Sequence, residues 1–216
     1  MADACCSGKR DTIAELGRKA EQRRVLIIVM VINLAMFVVE FGGGVVARSS
    51  ALMADSVDMF GDSVVYALSL YALHRGERWE AGAALAKGGI ILAFGVAVIF
   101  EIADKIANGV PPASGLMLGV GSAALVANLI CLVLLWRFRR ENVNMSSTFE
   151  CSRNDVASNV GVLAAAGLVG LTGSAWPDII VGGLIAVMFL HSAWRVLREA
   201  WPAWRAAKTS GRELLR

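Results

Sequence analysis

The sequence predicts an all-α membrane protein, a bundle of six transmembrane helices, and three observations support this fold class. Hydrophobic residues make up 56% of the 216-residue chain, its mean hydropathy is +0.60, and it contains only 4 prolines. This composition lies beyond that of ordinary soluble domains. Apolar runs long enough to cross a hydrocarbon core of about 30 Å occur at six places. None of them alternates apolar with polar residues as a barrel strand does, so each is predicted to be a helix.

The predicted domains follow these runs. Residues 1–24 form a charged cytoplasmic segment, in which the stretch DTIAELGRKAEQRR has the pattern of an amphipathic helix at the membrane surface. The first apolar run is long and lacks a small-residue cleavage site after a short core, so it is a retained span rather than a signal peptide. A six-helix transmembrane domain covers residues 25–199, and residues 200–216 form a short cytoplasmic tail. The predicted spans are approximately 25–47, 51–74, 81–107, 115–136, 151–173 and 178–197.

Basic residues indicate the orientation of these helices. They cluster before the first span, between the second and third, after the fourth and after the sixth, whereas the other connections carry little beyond Arg48 and Lys105. By the positive-inside rule, both termini are cytoplasmic. The six helices then divide into two halves of three with opposite orientations, an arrangement found in transporters whose site lies between the halves. Because the basic residues form no single patch with interleaved aromatics, no nucleic-acid partner is expected.

The spacing of the cysteines does not indicate a disulfide framework. The four cysteines, at 5, 6, 131 and 151, lack regular spacing. Cys5 and Cys6 lie in the predicted cytoplasmic segment, where thiols stay reduced, and the adjacent pair either captures a soft metal or belongs to an unstructured terminus. Cys131 lies in the apolar stretch LVANLICLVLL and is predicted to pack against other helices or lipid.

Four side chains of the kinds that bind metals lie at helical spacing in two of the predicted spans. Asp58 and Asp62 belong to the second span, and Cys151 and Asp155 belong to the fifth. An i, i+4 spacing places both members of a pair on one helix face. A carboxylate at the bilayer centre costs about 2.5–3.5 kcal/mol, so three aspartates need a compensating partner. A divalent cation would compensate most directly.

These four residues form the predicted metal site. Zinc-type sites take thiolate, imidazole and carboxylate ligands, and two helices with one pair each supply four of them. The two helices enter the bilayer from opposite sides, so Asp62 and Asp155 reach similar depths. In the alternative interpretation, the aspartates only form hydrogen bonds with asparagine or serine in the bundle, and Cys151 is a small apolar side chain.

Other polar residues in the spans allow two interpretations each. Asp55, one turn before Asp58, either caps the second helix or forms a hydrogen bond, or it leads the ion outward. Glu40 in the first span either relays protons and admits ions or makes an interhelical hydrogen bond. Asp55 and Glu40 are therefore accessory candidates for the metal site. Asn33 and Asn128 are predicted to join helices through hydrogen bonds.

The stretch NLAMFVVEFGGGVVARSSALMADSVDMFGD, residues 33–62, resembles the first two helices of the cation diffusion facilitator family. Members carry an Asn and a Glu in helix one, then Ser-x-Ala-Leu-x-Ala-Asp, and then a His or Asp followed four residues later by Asp. Here the last two are Asp58 and Asp62. The fifth helix of that family repeats the spacing, which Asp155 fits, whereas Cys151 stands where His is usual.

The resemblance implies a secondary active transporter rather than an enzyme, one that exports divalent transition metals in exchange for protons by alternating access. It also implies a homodimer in the bilayer, expected in the cytoplasmic (inner) membrane of a bacterium, and a metal that is cargo rather than a prosthetic group. The implied transport site is Asp58, Asp62, Cys151 and Asp155. Because only residues 200–216 follow the predicted domain, the chain is expected to be a short member without the C-terminal cytoplasmic domain common in the family.

The ligand types bear on which metal is carried. A thiolate moves the preference of a site toward softer ions, so Zn²⁺ and Cd²⁺ are the expected cargo, while three carboxylates leave Co²⁺, Ni²⁺, Fe²⁺ and Mn²⁺ open. The alternative function is a non-transporting membrane scaffold or metal-sensor subunit whose polar residues only hold helices together. In that case, Asp155→Ala would damage assembly instead of leaving a folded, inactive protein.

Overall fold

The described chain forms six helices, as the sequence predicts. A computed structural model describes residues 2–71, 77–141 and 143–213. Within these residues the helices are α1 (Ala2–Ala47), α2 (Ser50–Tyr71), α3 (Glu77–Asn108), α4 (Ser114–Trp136), α5 (Val143–Thr172) and α6 (Trp176–Glu213). The same residues contain no strand, so the all-α fold is confirmed.

Several helices have the length and the apolar surface that a membrane requires. Four stretches of the described residues are long and apolar enough to cross a bilayer, namely Gly17–Ala47, Ser114–Trp136, Thr148–Thr172 and Trp176–Pro202. Large aliphatic side chains, among them Val38, Val133 and Leu171, are exposed. A surface this apolar would promote association in water, but lipid tails solvate it directly.

Helix α2 is the central element of the bundle. It contacts α1, α3, α5 and α6, while α4 packs against α1 and α5. The most extensive contact between two helices joins α3 with α6, which belong to different halves of the sequence. The halves therefore interlock. The core around α2 is aliphatic and includes Leu52, Val57, Val98, Met117 and Val162.

An aromatic cluster joins α2 to α1 and α3. Its ring centroids lie between 5.0 and 5.9 Å apart, and its members are Phe37, Phe41, Phe60 and Phe94. Aromatic pairs of this kind contribute about 0.5–1.5 kcal/mol each beyond the area they bury. Since Phe60 is two residues from both Asp58 and Asp62, it lies on the opposite side of α2. The cluster thus directs both aspartates away from α1.

A buried ionic network joins the helices at the end of the bundle where α1 and α3 finish and α2 and α6 begin, which is the outer end in the orientation that the basic residues predict. Asp178 of α6 accepts hydrogen bonds from Ser49 Oγ (2.5 Å) and from the backbone N–H groups of Ser50 (2.9 Å) and Ala51 (3.2 Å). Lys105 of α3 forms an ion pair with Asp178 (2.6 Å) and donates a hydrogen bond to Ser50 Oγ (2.8 Å). The Lys105 and Asp178 side chains are only 2% and 0% exposed.

This outer network stabilises the start of α2. The first N–H groups of a helix have no partner within the helix, and its N-terminus carries a partial positive charge. Asp178 supplies both a hydrogen-bond acceptor and a negative charge there. Ser49 adds a conventional N-cap, because its Oγ also accepts a hydrogen bond from the backbone N–H of Leu52 at 3.2 Å. Helix α2 is therefore held at its outer end by residues of α3 and α6.

Gly182 allows α6 to come close enough to α2 for this network to form. A Cβ atom at this position, one turn after Asp178, would lie 2.7 Å from the carbonyl carbon of Ser50 and 2.8 Å from the backbone nitrogen of Ala51. Backbone atoms cannot move to relieve such a clash, whereas the end of a flexible side chain can. Only glycine therefore fits here.

We expect Asp178→Asn or Lys105→Met to lower the free energy of unfolding by about 3–5 kcal/mol, because each change leaves a buried partner without its opposite charge. The exposed pair Arg48 and Asp104, 3.9 Å apart and 58% and 52% exposed, gives a control. Asp104→Asn should change the same free energy by less than about 1 kcal/mol. Denaturant unfolding in detergent measures both, and equal effects would contradict the role given to the outer network.

Candidate metal site

A cavity of about 710 Å³ lies between α2, α3, α5 and α6. All four residues of the predicted metal site border it. Its other walls are mostly apolar, and the full lining is Val57, Asp58, Gly61, Asp62, Gly88, Ile91, Cys151, Asn154, Asp155, Ala157, Ser158, Gly161, Val181, Leu184, Ile185, Met188, Phe189, Ala193 and Arg195. The cavity reaches toward the end of the bundle opposite the outer network, which is the inner end.

On α2, Asp58 and Asp62 border the cavity on successive turns. Asp62 is buried and accepts a hydrogen bond of 2.8 Å from the hydroxyl of Tyr66, which is also buried. Such a partner orients a carboxylate toward a ligand that binds in the cavity. Sequence analysis did not single out Tyr66, although its i+4 spacing from Asp62 is the signal that could have identified it.

On α5, four polar residues border the cavity: Cys151, Asn154, Asp155 and Ser158. Their spacing of i, i+3, i+4 and i+7 keeps them on one helix face. Cys151 is half-buried and Asp155 is buried. The helix begins at Val143, so Cys151 lies about two turns inside continuous helix. Sequence analysis missed Asn154 and Ser158, which follow from the same periodicity.

The structure brings the two predicted pairs to one cavity but not into one coordination sphere. Among the side chains that the structure describes, no three from His, Cys, Asp and Glu lie close enough together to hold a metal ion. The pairs on α2 and α5 are thus separate groups on the walls of a shared space. A closed tetrahedral site would require these side chains to come closer together, through a change of rotamer or a movement of the helices.

Negative charge is concentrated around Asp155. The carboxylates of Asp62, Asp58 and Asp55 all interact electrostatically with it. Its Oδ2 atom is buried and accepts no hydrogen bond from any described residue. A buried charge without a partner is costly. A cation bound in the cavity would therefore lower the energy of several carboxylates at once.

The accessory candidates Asp55 and Glu40 do not border the cavity. Asp55 lies one turn outward of Asp58 and accepts a hydrogen bond of 2.7 Å from Nδ2 of Asn159 on α5. Glu40 of α1 lies against Asp55, and the side chains of all three residues are buried. Asp55 is five residues inside α2 and does not cap that helix, whereas the hydrogen bond expected as the other structural role is present. Asn159 was not singled out by sequence analysis.

The two asparagines predicted to join helices do so only in part. Asn33 Nδ2 donates to the carbonyl oxygen of Val29 in its own helix at 2.9 Å and lies 3.9 Å from Sγ of Cys131 on α4. Asn128 is buried, and neither polar atom of its amide has a hydrogen-bond partner among the described residues. Cys131 is fully buried and packs between helices, as its apolar surroundings predict.

Comparison with known proteins relates most of the chain to one family. The family model of the cation efflux transmembrane domain matches residues 26–203. The zinc transporter ZitB of Yersinia pestis is 28% identical over 189 residues, which cover 82% of this chain and 61% of that protein. The cadmium, cobalt and zinc/H(+)-K(+) antiporter of Bacillus subtilis is 24% identical over 192 residues, which cover 82% and 62%.

A third relative is the metal cation efflux system protein CzcD of Cupriavidus metallidurans, 26% identical over 189 residues that cover 82% of this chain and 60% of the relative. The chain thus spans about 60% of the length of these relatives. Together with the apolar helices, the match to a transmembrane domain establishes an integral membrane protein.

We expect a membrane-permeant maleimide to modify Cys151 but not Cys131 in the folded protein, because Cys151 borders the cavity and Cys131 is fully buried. Cys5 and Cys6, whose side chains lie outside the described residues, are first replaced by serine. Mass spectrometry after timed labelling gives the modified fraction of each thiol, with SDS-denatured protein as the control. Equal labelling of both thiols in the native protein would contradict this placement.

Proposed function

The chain belongs to the cation efflux family, and we propose that it carries divalent transition-metal cations out of the cytoplasm as a secondary transporter. The observation that carries this proposal is the meeting of Asp58, Asp62, Cys151 and Asp155 at one cavity. The names of the relatives support it, since they describe a zinc transporter, a metal cation efflux protein and a cadmium, cobalt and zinc antiporter. These are names of transporters, not of enzymes.

We propose these four residues as the ligands of the cargo. Carboxylate oxygens and a thiolate sulfur are donors that Zn²⁺ accepts, and the thiolate favours the softer Cd²⁺ as well. Because no three of these side chains lie close enough to hold a metal ion, binding would bring the donors of α2 and α5 closer together around the ion. Asp55 and Glu40 are left out of this ligand set because they do not border the cavity.

The difference between the two ends of the bundle supports the proposal that the cavity is loaded from the cytoplasm. The outer network joins α2, α3 and α6 at one end through buried hydrogen bonds and an ion pair. The cavity lies on the other side of this network and extends along α6 to Arg195. With both termini cytoplasmic, as basic residues predict, this is the cytoplasmic side. Release on the outside would require an alternate state in which the outer end opens.

Proton exchange would couple to cargo through the same ligands. Thiol and carboxylic acid groups must lose their protons to bind a metal, and protonation in turn releases the metal. A site that faces an acidic exterior would therefore discharge its cation and return to the cytoplasm carrying protons. One relative is named as an antiporter that uses H⁺ and K⁺, which agrees with exchange of this kind.

We further propose that the transporter is a homodimer in the inner membrane of a bacterium. The size of the particle in nanodiscs of defined lipid content would measure the oligomeric state. The alternative function, a scaffold or metal-sensor subunit, shares the fold but needs no flux. Transport by the purified chain therefore separates the two functions.

We expect Asp155→Asn to leave the protein folded and to lower Zn²⁺ flux by more than about tenfold, because the amide keeps the shape of the side chain but loses an anionic ligand. Flux is measured in proteoliposomes with an imposed pH gradient and a metal-sensitive dye inside. The exposed Asp104 gives the matched control, since Asp104→Asn makes the same change away from the cavity. Absence of flux for every divalent ion with folded wild-type protein would instead support the scaffold or sensor.

We expect Cys151→His to retain transport but to shift the Cd²⁺ to Zn²⁺ preference toward Zn²⁺, because an imidazole is a harder donor than a thiolate. Flux of each ion under the same gradient gives the ratio. Cys131→Ala, which changes a cysteine away from the cavity, should leave the ratio unaltered. If the ratio is the same in Cys151→His and the wild type, Cys151 is not a ligand.

A further inference from the structure

We propose that Tyr66 is a positioning residue that favours Zn²⁺ over Mn²⁺ as cargo, because its hydroxyl restricts how the Asp62 carboxylate binds a cation. Tyr66 lies one turn after Asp62 on α2 and donates a hydrogen bond of 2.8 Å to its Oδ2 atom. It does not itself border the cavity, so it acts through Asp62 and not as a ligand. The inference rests on the proposed transport function and adds a basis for selectivity to it.

The hydroxyl of Tyr66 lies near ligands of both helices. The side chains of Asp155 and Cys151 on α5 interact electrostatically with it, as Asp62 does. A phenol has a single proton to donate, and Asp62 receives it. Oδ2 of Asp155, in contrast, accepts no hydrogen bond from any described residue. Tyr66 therefore makes the two aspartates different as ligands.

The ring of Tyr66 is held in place by packing. Only 1% of the residue is exposed. The ring belongs to a buried apolar cluster that includes Val29 of α1, Leu135 of α4 and Met145 of α5. Because side chains in such a close-packed environment have little room to change rotamer, the hydroxyl keeps its position when a cation enters the cavity. Asp62 thus has a fixed donor behind it.

A hydrogen bond to one oxygen changes a carboxylate as a ligand. An ionised carboxylate can bind a cation through one oxygen or through both. The proton that Tyr66 donates carries partial positive charge and lies against Oδ2 of Asp62. This charge repels a cation placed at the same oxygen. Asp62 therefore binds a cation through one oxygen rather than both.

Zn²⁺ and Mn²⁺ differ in the number of donors they take. Protein-bound Zn²⁺ is commonly tetrahedral, and the proposed ligand set satisfies it with one donor atom from each residue. Mn²⁺ favours an octahedral set of oxygens. Three aspartates supply six oxygens only if each of them binds through both. An Asp62 that is limited to one oxygen fits Zn²⁺ better than Mn²⁺.

The test uses Tyr66→Phe, which removes the hydroxyl and keeps the ring. Zn²⁺ and Mn²⁺ flux are measured in proteoliposomes under one pH gradient over a range of concentrations of each ion. Loss of a group that orients a metal ligand lowers affinity by about 10–100-fold, so we expect the KM for Zn²⁺ to rise at least about tenfold with an unchanged maximal rate. The KM for Mn²⁺ should stay the same or fall. If both KM values change by the same factor, the proposal is wrong, because loss of packing affects all cargo alike.

Tyr71→Phe gives the matched control. Tyr71 is the last residue of α2 and follows Asp62 by nine residues, or about 14 Å along the helix. This variant loses the same hydroxyl group at a distance from the ligands. Its ratio of Mn²⁺ to Zn²⁺ transport should equal that of the wild type. A ratio that rises as much as in Tyr66→Phe would refute a specific role for Tyr66.

A second variant strengthens the hydrogen bond and serves if Tyr66→Phe does not fold. The chain has two tyrosines, so a ring-fluorinated tyrosine incorporated into Tyr71→Phe replaces Tyr66 alone. Fluorine makes the hydroxyl a stronger donor at nearly the same size. We expect the ratio of Mn²⁺ to Zn²⁺ transport to fall below that of unlabelled Tyr71→Phe. An equal or higher ratio would contradict the proposal.

A binding measurement separates this proposal from the transport function. Mn²⁺ is bound to the full chain in nanodiscs without a gradient, and the EPR signal of free Mn²⁺ reports its displacement by Zn²⁺. The Zn²⁺ concentration that displaces half of the Mn²⁺ should be at least about tenfold higher for Tyr66→Phe than for the wild type. Equal concentrations would overturn the role of Tyr66 even if the wild type transports Zn²⁺. Absence of flux in the wild type would overturn transport, while this competition would still test Tyr66.

Discussion

Carboxylates buried among apolar helices impose the constraint on which the rest of this structure depends. Each would cost about 2.5–3.5 kcal/mol in the middle of a bilayer without compensation. Asp178 is compensated by a lysine, a serine hydroxyl and two backbone N–H groups. Asp62 borders a cavity and accepts a hydrogen bond from a tyrosine, whereas Asp55 has an asparagine as its donor. These partners determine the position of α2. The helix carries Asp55 and Asp62, and its N-terminus donates hydrogen bonds to Asp178.

Much of the fold could be predicted from the sequence because the bilayer restricts the alternatives. Apolar runs of sufficient length must be helices in lipid, since no other regular element satisfies its own backbone there except a closed barrel. The i, i+4 spacing of Asp58 with Asp62, and of Cys151 with Asp155, then fixes which side chains share a helix face. That these two faces border one cavity follows from the packing of α2 against α5, which the structure supplies.

Contacts between distant segments could not be predicted in this way. Lys105 and Asp178 are 73 residues apart, and in sequence each resembles an ordinary charge near the end of a span. Their pairing depends on α3 packing along α6 and on a glycine that lets α6 reach α2. Asn159 was missed for the same reason, because its partner Asp55 lies on another helix. Periodicity describes the faces of one helix, whereas these contacts depend on how helices cross.

Because Asp178 caps α2, the N-terminal end of this helix is held more firmly than its other end. Helix α2 starts at Ser50, which forms hydrogen bonds with Lys105 of α3 and Asp178 of α6. The half of α2 that carries Asp62 borders the cavity instead. A rigid helix that tilts about one end moves each residue in proportion to its distance from that end, so Asp62 travels roughly twice as far as Asp55. Asp55 therefore lies near the fixed end of α2, and the residues that border the cavity lie toward the end that would move most. A small displacement of α2 around Asp178 would therefore produce a larger displacement of Asp58 and Asp62, which face α5 across the cavity.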